Sequence, residues 1–152
     1  MPYLSKWLPA FSGLLATLLF AAIAQAAPEN DKPFAEEKVV LQISDDDPFK
    51  QTLVLNVATN LINHYGADKV DIEIVAFGPG LRLLFAENAN AGRIGTLMES
   101  SGVRFSACEN TVAAMTKQLG HAPAINPGAT RVQAGIVRIM ELTGQDYQLV
   151  KP

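Results

Sequence analysis

Short apolar runs rich in β-branched residues alternate with helix-like segments along most of this chain, and this alternation is the feature that most constrains its fold. The first run, residues 39–43, is followed by Ser44 and three aspartates. The helix-like segment at 48–65 repeats apolar residues at four-residue spacing and stops before Gly66. Further strands are predicted at 71–77, 103–106, 130–133 and 147–150, and further helical segments at 81–88, 91–101, 109–119 and 134–142. The pattern predicts an α/β fold, with a mostly parallel sheet of about five strands and helices on both faces.

The amino-terminal segment differs from the rest of the chain. Its first 26 residues carry one charge, Lys6, and an apolar stretch at 14–24 that leads into an Ala-Gln-Ala tripeptide. Small residues at the first and third positions of such a tripeptide are typical of a secretory signal peptide, cleaved here before Ala27. The alternative is an uncleaved membrane anchor, but the apolar run is short for a span of about 20 residues. We predict a signal peptide at 1–26, a flexible linker at 27–37 and one domain at 38–152. After cleavage, the mature protein is expected to be periplasmic or secreted and not bound to the membrane.

Charge and cysteine content exclude several classes of function. The 152 residues include 12 Lys and Arg against 15 Asp and Glu, a formal net charge of −3. This balance lacks the basic surface that nucleic-acid binding requires, so no nucleic-acid partner is expected. A single cysteine excludes an intrachain disulfide and is too few for a cysteine-based zinc site.

Three predicted loops follow the carboxyl ends of the first three strands, where ligand sites of parallel α/β sheets form. They are the Asp45-Asp46-Asp47 run, the Gly78-Pro79-Gly80 turn and the Ala107-Cys108-Glu109 segment. We therefore expect a site where these loops converge.

Cys108 is the candidate for chemistry at that site. It precedes a predicted helix, whose amino-terminal N–H groups and dipole favour a thiolate. A thiol of low pKa can attack an electrophilic sulfur or carry a persulfide. The alternative is a buried, inert cysteine, since cysteine is among the residues most often buried. The neighbouring Glu109 opposes thiolate formation if its carboxylate lies close.

The other two loops also have two interpretations each. The aspartate run offers the oxygen ligands that divalent cations prefer, but helix capping by Asp47 accounts for part of it, so no metal site is predicted. The Gly78-Pro79-Gly80 segment is either a backbone nest for an anion or a plain tight turn. It is not a P-loop, because no Gly-Lys-Ser/Thr follows it, and it is not a dinucleotide-binding fingerprint, because Leu83 stands where the third glycine is needed.

Four segments, taken in order, resemble the DsrE/DsrF-like family, and most closely its secreted single-domain members. They are VVLQISDDDP at 39–48, NLINHYG at 60–66, IVAFGPG at 74–80 and GVRFSACENT at 102–111. The resemblance covers residues 38–152. It implies a flavodoxin-like three-layer α/β/α fold and assembly of the chain as a homo-oligomer, a trimer or a hexamer. It also places Cys108 at the family's sulfur-carrying position.

The resemblance implies a sulfur carrier or sulfurtransferase-like protein in which Cys108 forms a persulfide. Asp45, Gly78, Gly80, Asn110 and Thr111 are then expected to bind the substrate, and no cofactor is expected. The chain lacks the second cysteine of some family members, so sulfur must pass between donor and acceptor proteins. The alternative is a non-catalytic, oligomeric module that binds a small ligand or a partner and in which Cys108 is inert.

Overall fold

The computed structural model describes residues 32–152 and consists of alternating strands and helices. The signal peptide predicted at 1–26 and the first five residues of the predicted linker lie outside the described residues. A 3-10 helix, Gly78–Leu84, follows the second strand. The strands are β1 Glu37–Ile43, β2 Val70–Ala76, β3 Arg104–Cys108, β4 Thr130–Val132 and β5 Gln148–Val150, and the α-helices are α1 Pro48–Tyr65, α2 Ala91–Ser101, α3 Glu109–Leu119 and α4 Gly135–Thr143.

The five strands form one all-parallel sheet in the order β4-β3-β2-β1-β5. The first three crossovers step from each strand to its neighbour, and the last returns across the sheet to the far side of β1. Because crossovers between parallel strands are right-handed, this reversal places α4 on the opposite face from α1, α2 and α3. The predicted three-layer α/β/α architecture is confirmed. Its strand order differs from the 2-1-3-4-5 order of flavodoxin itself.

The two faces of the sheet are packed differently. Ile72 and Ile74 of β2 enter the larger apolar core, which also contains Leu55 of α1 and Ile94 of α2. On the other face, a smaller cluster joins Val40 and Val75 to Ile139, Leu142 and Tyr147. All seven residues of β2 are buried, as expected for a central strand of a parallel sheet.

The face covered by α4 also holds a buried polar network. Asp71 and Glu73 of β2 are only 0% and 1% exposed. The Arg104 side chain on β3 donates to an Asp71 carboxylate oxygen at 2.6 Å and to a Glu73 oxygen at 3.2 Å. Tyr147 donates its hydroxyl hydrogen to Asp71. Ser106 donates to Glu73 at 2.6 Å. Buried carboxylates need such partners, because an uncompensated buried charge is costly.

The chain before β1 is held against the domain. The Lys32 ammonium donates to the carbonyl oxygens of Ala67, Val70 and Ser101 at 2.8, 3.0 and 2.6 Å. β1 begins at Glu37, one residue earlier than the predicted domain. The Lys32 ammonium thus gives the start of the described chain partners that the sequence pattern does not reveal.

Two further boundaries differ from the sequence prediction, and both affect the site. The helix predicted at 81–88 is a 3-10 helix, and it begins at Gly78 rather than after a separate turn. β3 continues to Cys108 instead of ending at 106, so the cysteine is the last residue of a strand and not part of a loop. Within residues 32–152, no helix has the length and apolar character needed to cross a membrane.

Candidate functional site

The carboxyl ends of β1, β2 and β3 lie side by side. Ala76 pairs with Ile43 of β1 and with Ala107 of β3, so the three loops that follow begin at the same level of the sheet. Cys108 ends β3 and occupies the N-cap position of α3. The predicted convergence of these strand ends is therefore seen in the structure, and the cysteine lies on its β3 side.

The pKa of the Cys108 thiol is lowered by its surroundings. The groups that lower it through hydrogen bonding are the side chain of Thr111 and the backbone of Gly135, Thr111 and Asn110. The residue is 5% exposed. Burial raises the pKa of the thiol, but these hydrogen bonds favour the thiolate, and together they bring the pKa below its ordinary value.

These groups belong to the first turns of two helices. Asn110 and Thr111 lie at the start of α3, and Gly135 is the first residue of α4. Each first turn presents N–H groups without a partner inside its helix, together with the positive end of the helix dipole. Cys108 thus directly precedes the first turn of α3 and pairs with Val132 of β4, close in sequence to the start of α4.

Contacts among the loops hold this arrangement in place. The Gly78 N–H donates to the Thr111 hydroxyl oxygen at 2.9 Å, which links the loop after β2 to α3. The Asn110 N–H donates to the carbonyl of Gln133 at 3.3 Å, and the Gln133 amide donates to the Asn110 side chain at 3.3 Å. The predicted site residues Cys108, Gly78, Asn110 and Thr111 are therefore brought together.

Glu109 and two other predicted residues make different contacts. The Glu109 carboxylate accepts from Arg131 of β4 at 3.2 Å, so a cation partly offsets the charge beside the cysteine. Asp45 pairs with Lys50 at 3.0 Å. Gly80 is buried, and a Cβ there would lie 2.5 Å from the carbonyl oxygen of Ile43. Gly80 therefore serves close packing against the end of β1.

The acidic run after β1 is explained by local contacts. Asp47 caps α1 by accepting from the Phe49 N–H at 2.8 Å. Asp46 lies 3.8 Å from the guanidinium of Arg82. Among residues 32–152, no group of three or more histidine, cysteine, aspartate or glutamate side chains could hold a metal ion.

One part of the site's surroundings is missed by the sequence analysis. Arg138 of α4 binds Glu73 through two hydrogen bonds, from Nε to Oε1 at 2.7 Å and from Nη2 to Oε2 at 2.8 Å. Asp71 and Glu73 lie on the same face of a central strand, where buried residues are usually apolar. Two acidic residues at alternate positions of such a strand are the sequence signal that could have indicated buried cationic partners. Nothing in the sequence identifies Arg138 as one of them.

Comparison with known proteins supports the fold. No protein-family model and no curated protein matches this chain. A similar solved structure is that of MTH1491, a protein of unknown function from Methanobacterium thermoautotrophicum, with a TM-score of 0.69 and 26% sequence identity. The similarity covers 77% of this chain and 100% of that chain. It agrees with the α/β fold and leaves the function to be inferred from the site.

Proposed function

We propose that this protein is an exported, DsrE-like sulfur carrier in which Cys108 accepts and releases a sulfane sulfur atom. The observation that carries this proposal is the position of Cys108, which is the last residue of β3 and directly precedes α3. The start of a helix favours a negative charge, and the pKa of the thiol is lowered by Thr111 and by nearby backbone groups in spite of burial. The thiolate is the nucleophilic form of cysteine. The resemblance of residues 38–152 to DsrE-like proteins supports the same role.

The transfer is a simple exchange between sulfur atoms. The Cys108 thiolate attacks the terminal sulfur of a donor persulfide, a new S–S bond forms at Cys108, and the S–S bond of the donor breaks. The donor leaves as a thiolate with the electron pair of the broken bond. Attack by an acceptor thiolate on the outer sulfur of the Cys108 persulfide returns Cys108 to its original state. No oxidant or cofactor is needed.

The proposal includes partners and a location. With one cysteine in the chain, both donor and acceptor are separate molecules, and the donor and acceptor proteins must reach the edge of the sheet where β3 ends. We place the mature protein in the periplasm or outside the cell, as the Ala-Gln-Ala tripeptide at 24–26 suggests. Assembly as a trimer or hexamer follows from the family resemblance.

The burial of Cys108 favours a second candidate function. A thiol that is 5% exposed is poorly accessible to a bulky partner. In this alternative the protein is an oligomeric binding module, Cys108 is inert, and the polar groups near it serve only to satisfy a buried group.

Intact-mass measurement after incubation with inorganic polysulfide or glutathione persulfide separates the two candidates. The carrier gains one sulfur atom, about 32 Da, which is released by a thiol. Cys108→Ser gains nothing. Since the chain has a single cysteine, no second site can produce the adduct. Absence of the adduct with both donors, while the urea-unfolded chain reacts, would establish that the folded cysteine is inert.

A further inference from the structure

The outer side of α4 is apolar. Ile136, Val137 and Met140 are 55%, 49% and 68% exposed, and their spacing of one, three and four positions places them on one side of the helix. Ile139 and Leu142, on the inner side, are buried in the smaller apolar cluster. A helix that is apolar on both sides is typical of a helix buried between two layers, so a further layer is expected over α4.

One helix is too narrow to cover this face of the sheet. Strands lie about 4.8 Å apart, so five strands span about 19 Å, whereas a helix with its side chains is about 10–12 Å wide. In the part of the chain that the structure describes, α1, α2 and α3 cover the opposite face and α4 alone covers this one. Leu149 of β5 pairs with Val40, so it lies on the α4 face, and it is 48% exposed. All-parallel sheets are almost always covered on both faces, so this face of the described chain is incomplete.

The charges on α4 favour a second copy of the chain over a charged partner. Arg138 and Glu141 are the charged residues of this helix. Arg138 binds Glu73 at 2.7 Å and lies 3.4 Å from Glu141, so each helix charge has an opposite charge beside it in its own chain. Contact between identical surfaces brings like charges together, which is unfavourable unless those charges are already balanced. The α4 face meets that condition, although the chain as a whole carries a formal charge of −3.

The amino-terminal segment of the chain is the competing occupant of this face. The described chain begins at Lys32, whose ammonium is bound to the carbonyls of Ala67 and Ser101, beside the ends of α1 and α2 on the opposite face. The cleavage proposed before Ala27 leaves five residues ahead of Lys32, and five residues extend over at most about 18 Å. That reach is about the width of the sheet alone, so these residues are too few to round its edge and also cover α4.

We propose that the outer side of α4, together with Leu149, docks a second copy of this chain. Association removes the exposed apolar side chains from water and completes the cover of the parallel sheet. The contact is close to the candidate site in the fold, because Cys108 pairs with Val132 of β4 and α4 begins three residues later. The inference gives the homo-oligomer of the proposed function its surface, and it rests on that function for its biological purpose.

Sedimentation equilibrium of the exported, purified protein tests the contact. Wild type is expected to be oligomeric at micromolar concentrations. Ile136→Glu/Met140→Glu places two charges in the contact and is expected to raise the dissociation constant at least about tenfold. Phe49→Glu is the matched control, since Phe49 is 73% exposed at the start of α1, and its dissociation constant should equal that of wild type.

Three results would overturn the proposal. They are a monomeric wild type, a double variant that associates as tightly as wild type, and an equal weakening by Phe49→Glu. The intact mass of the wild-type sample adds to the first of these, because a monomer that retains residues 1–26 would assign the α4 face to that segment.

A second measurement keeps the test open if the double variant does not fold. In a mixture of isotope-labelled and unlabelled wild-type chains, nuclear Overhauser effects between chains are expected at the Met140 methyl group. Their absence from an oligomeric sample overturns the proposal. Sedimentation does not depend on the thiol, and the mass of the sulfur adduct does not depend on assembly, so failure of this inference and failure of the sulfur-carrier function are distinguishable.

Discussion

At the scale of single residues, Thr111 has two roles at once. Its hydroxyl oxygen accepts from the Gly78 N–H at 2.9 Å. Hydrogen bonding by the same side chain lowers the pKa of the Cys108 thiol. A hydroxyl group can do both, because it has one hydrogen and two lone pairs. The loop after β2 and the cysteine at the end of β3 are thereby coupled through one side chain.

Thr111→Val is expected to raise the pKa of Cys108 and slow its alkylation at neutral pH. Valine has the same shape but donates nothing, so the thiolate loses one of the groups that stabilise it, and the Gly78 N–H loses its acceptor at a cost of about 1 kcal/mol. The alkylation pH profile and urea unfolding measure the two effects.

Thr116→Val is the matched control for that experiment. It lies on the same helix and donates only to the Val112 carbonyl, at 2.8 Å. Its alkylation profile should equal that of wild type. Equal profiles for both variants would contradict the role of Thr111.

At the scale of secondary-structure elements, close backbone contacts decide how the loops meet. Gly80 packs the 3-10 helix directly onto the end of β1, where an added Cβ would lie 2.5 to 2.7 Å from backbone atoms of Ile43 and Ser44. Backbone atoms of a buried strand end cannot move aside as a flexible side chain can. In contrast, a Cβ at Gly95 of α2 meets nothing within 4 Å.

Gly80→Ala is expected to lower the free energy of unfolding by about 2 kcal/mol or more, since the overlap forces the 3-10 helix away from β1. Gly95→Ala should raise it by about 0.5–1 kcal/mol, because alanine loses less backbone entropy in a helix. Urea unfolding of both variants measures the difference. If Gly80→Ala leaves the free energy of unfolding unchanged, the contact between the 3-10 helix and β1 can relax to accept the added methyl group.

At the scale of the whole molecule, Lys32 connects the start of the described chain to three separate parts of the fold. Its acceptors lie just after α1, at the start of β2 and at the end of α2. Carbonyls at helix ends lack partners within the helix, and a lysine ammonium has three hydrogens to donate.

Lys32→Met is expected to lower the free energy of unfolding by about 1–3 kcal/mol, because partly buried carbonyls lose a charged donor while the aliphatic stem is retained. Lys69→Met is the control. Lys69 pairs with Glu36 at the surface, with side chains 49% and 66% exposed, and its loss should change stability by less than about 0.5 kcal/mol. Thermal or urea unfolding measures both variants. Equal changes in the free energy of unfolding would mean that the Lys32 hydrogen bonds do not stabilise the fold.

The sequence predicted the parallel sheet and most helix bounds because these follow from local signals. Gly66 ends α1 and Asp47 caps it as expected, and α2 and α3 have the bounds predicted for them, 91–101 and 109–119. The 3-10 helix after β2 was mistaken for a turn and a helix, because its packing on β1 depends on a contact distant in sequence.

For the site, the sequence by itself determined that Cys108 lies between a strand and a helix, at the edge of a parallel sheet where sites form. Only the tertiary structure decided what surrounds the sulfur. Gly135 is 27 residues away in sequence, and its backbone helps to lower the pKa of Cys108 because Cys108 pairs with Val132 of β4, close to the start of α4. Glu73 and Arg138 are 65 residues apart and meet because the last crossover places α4 on the face of β2 that carries Glu73. Local periodicity encodes elements, whereas hydrogen-bond partners across crossovers depend on how those elements pack.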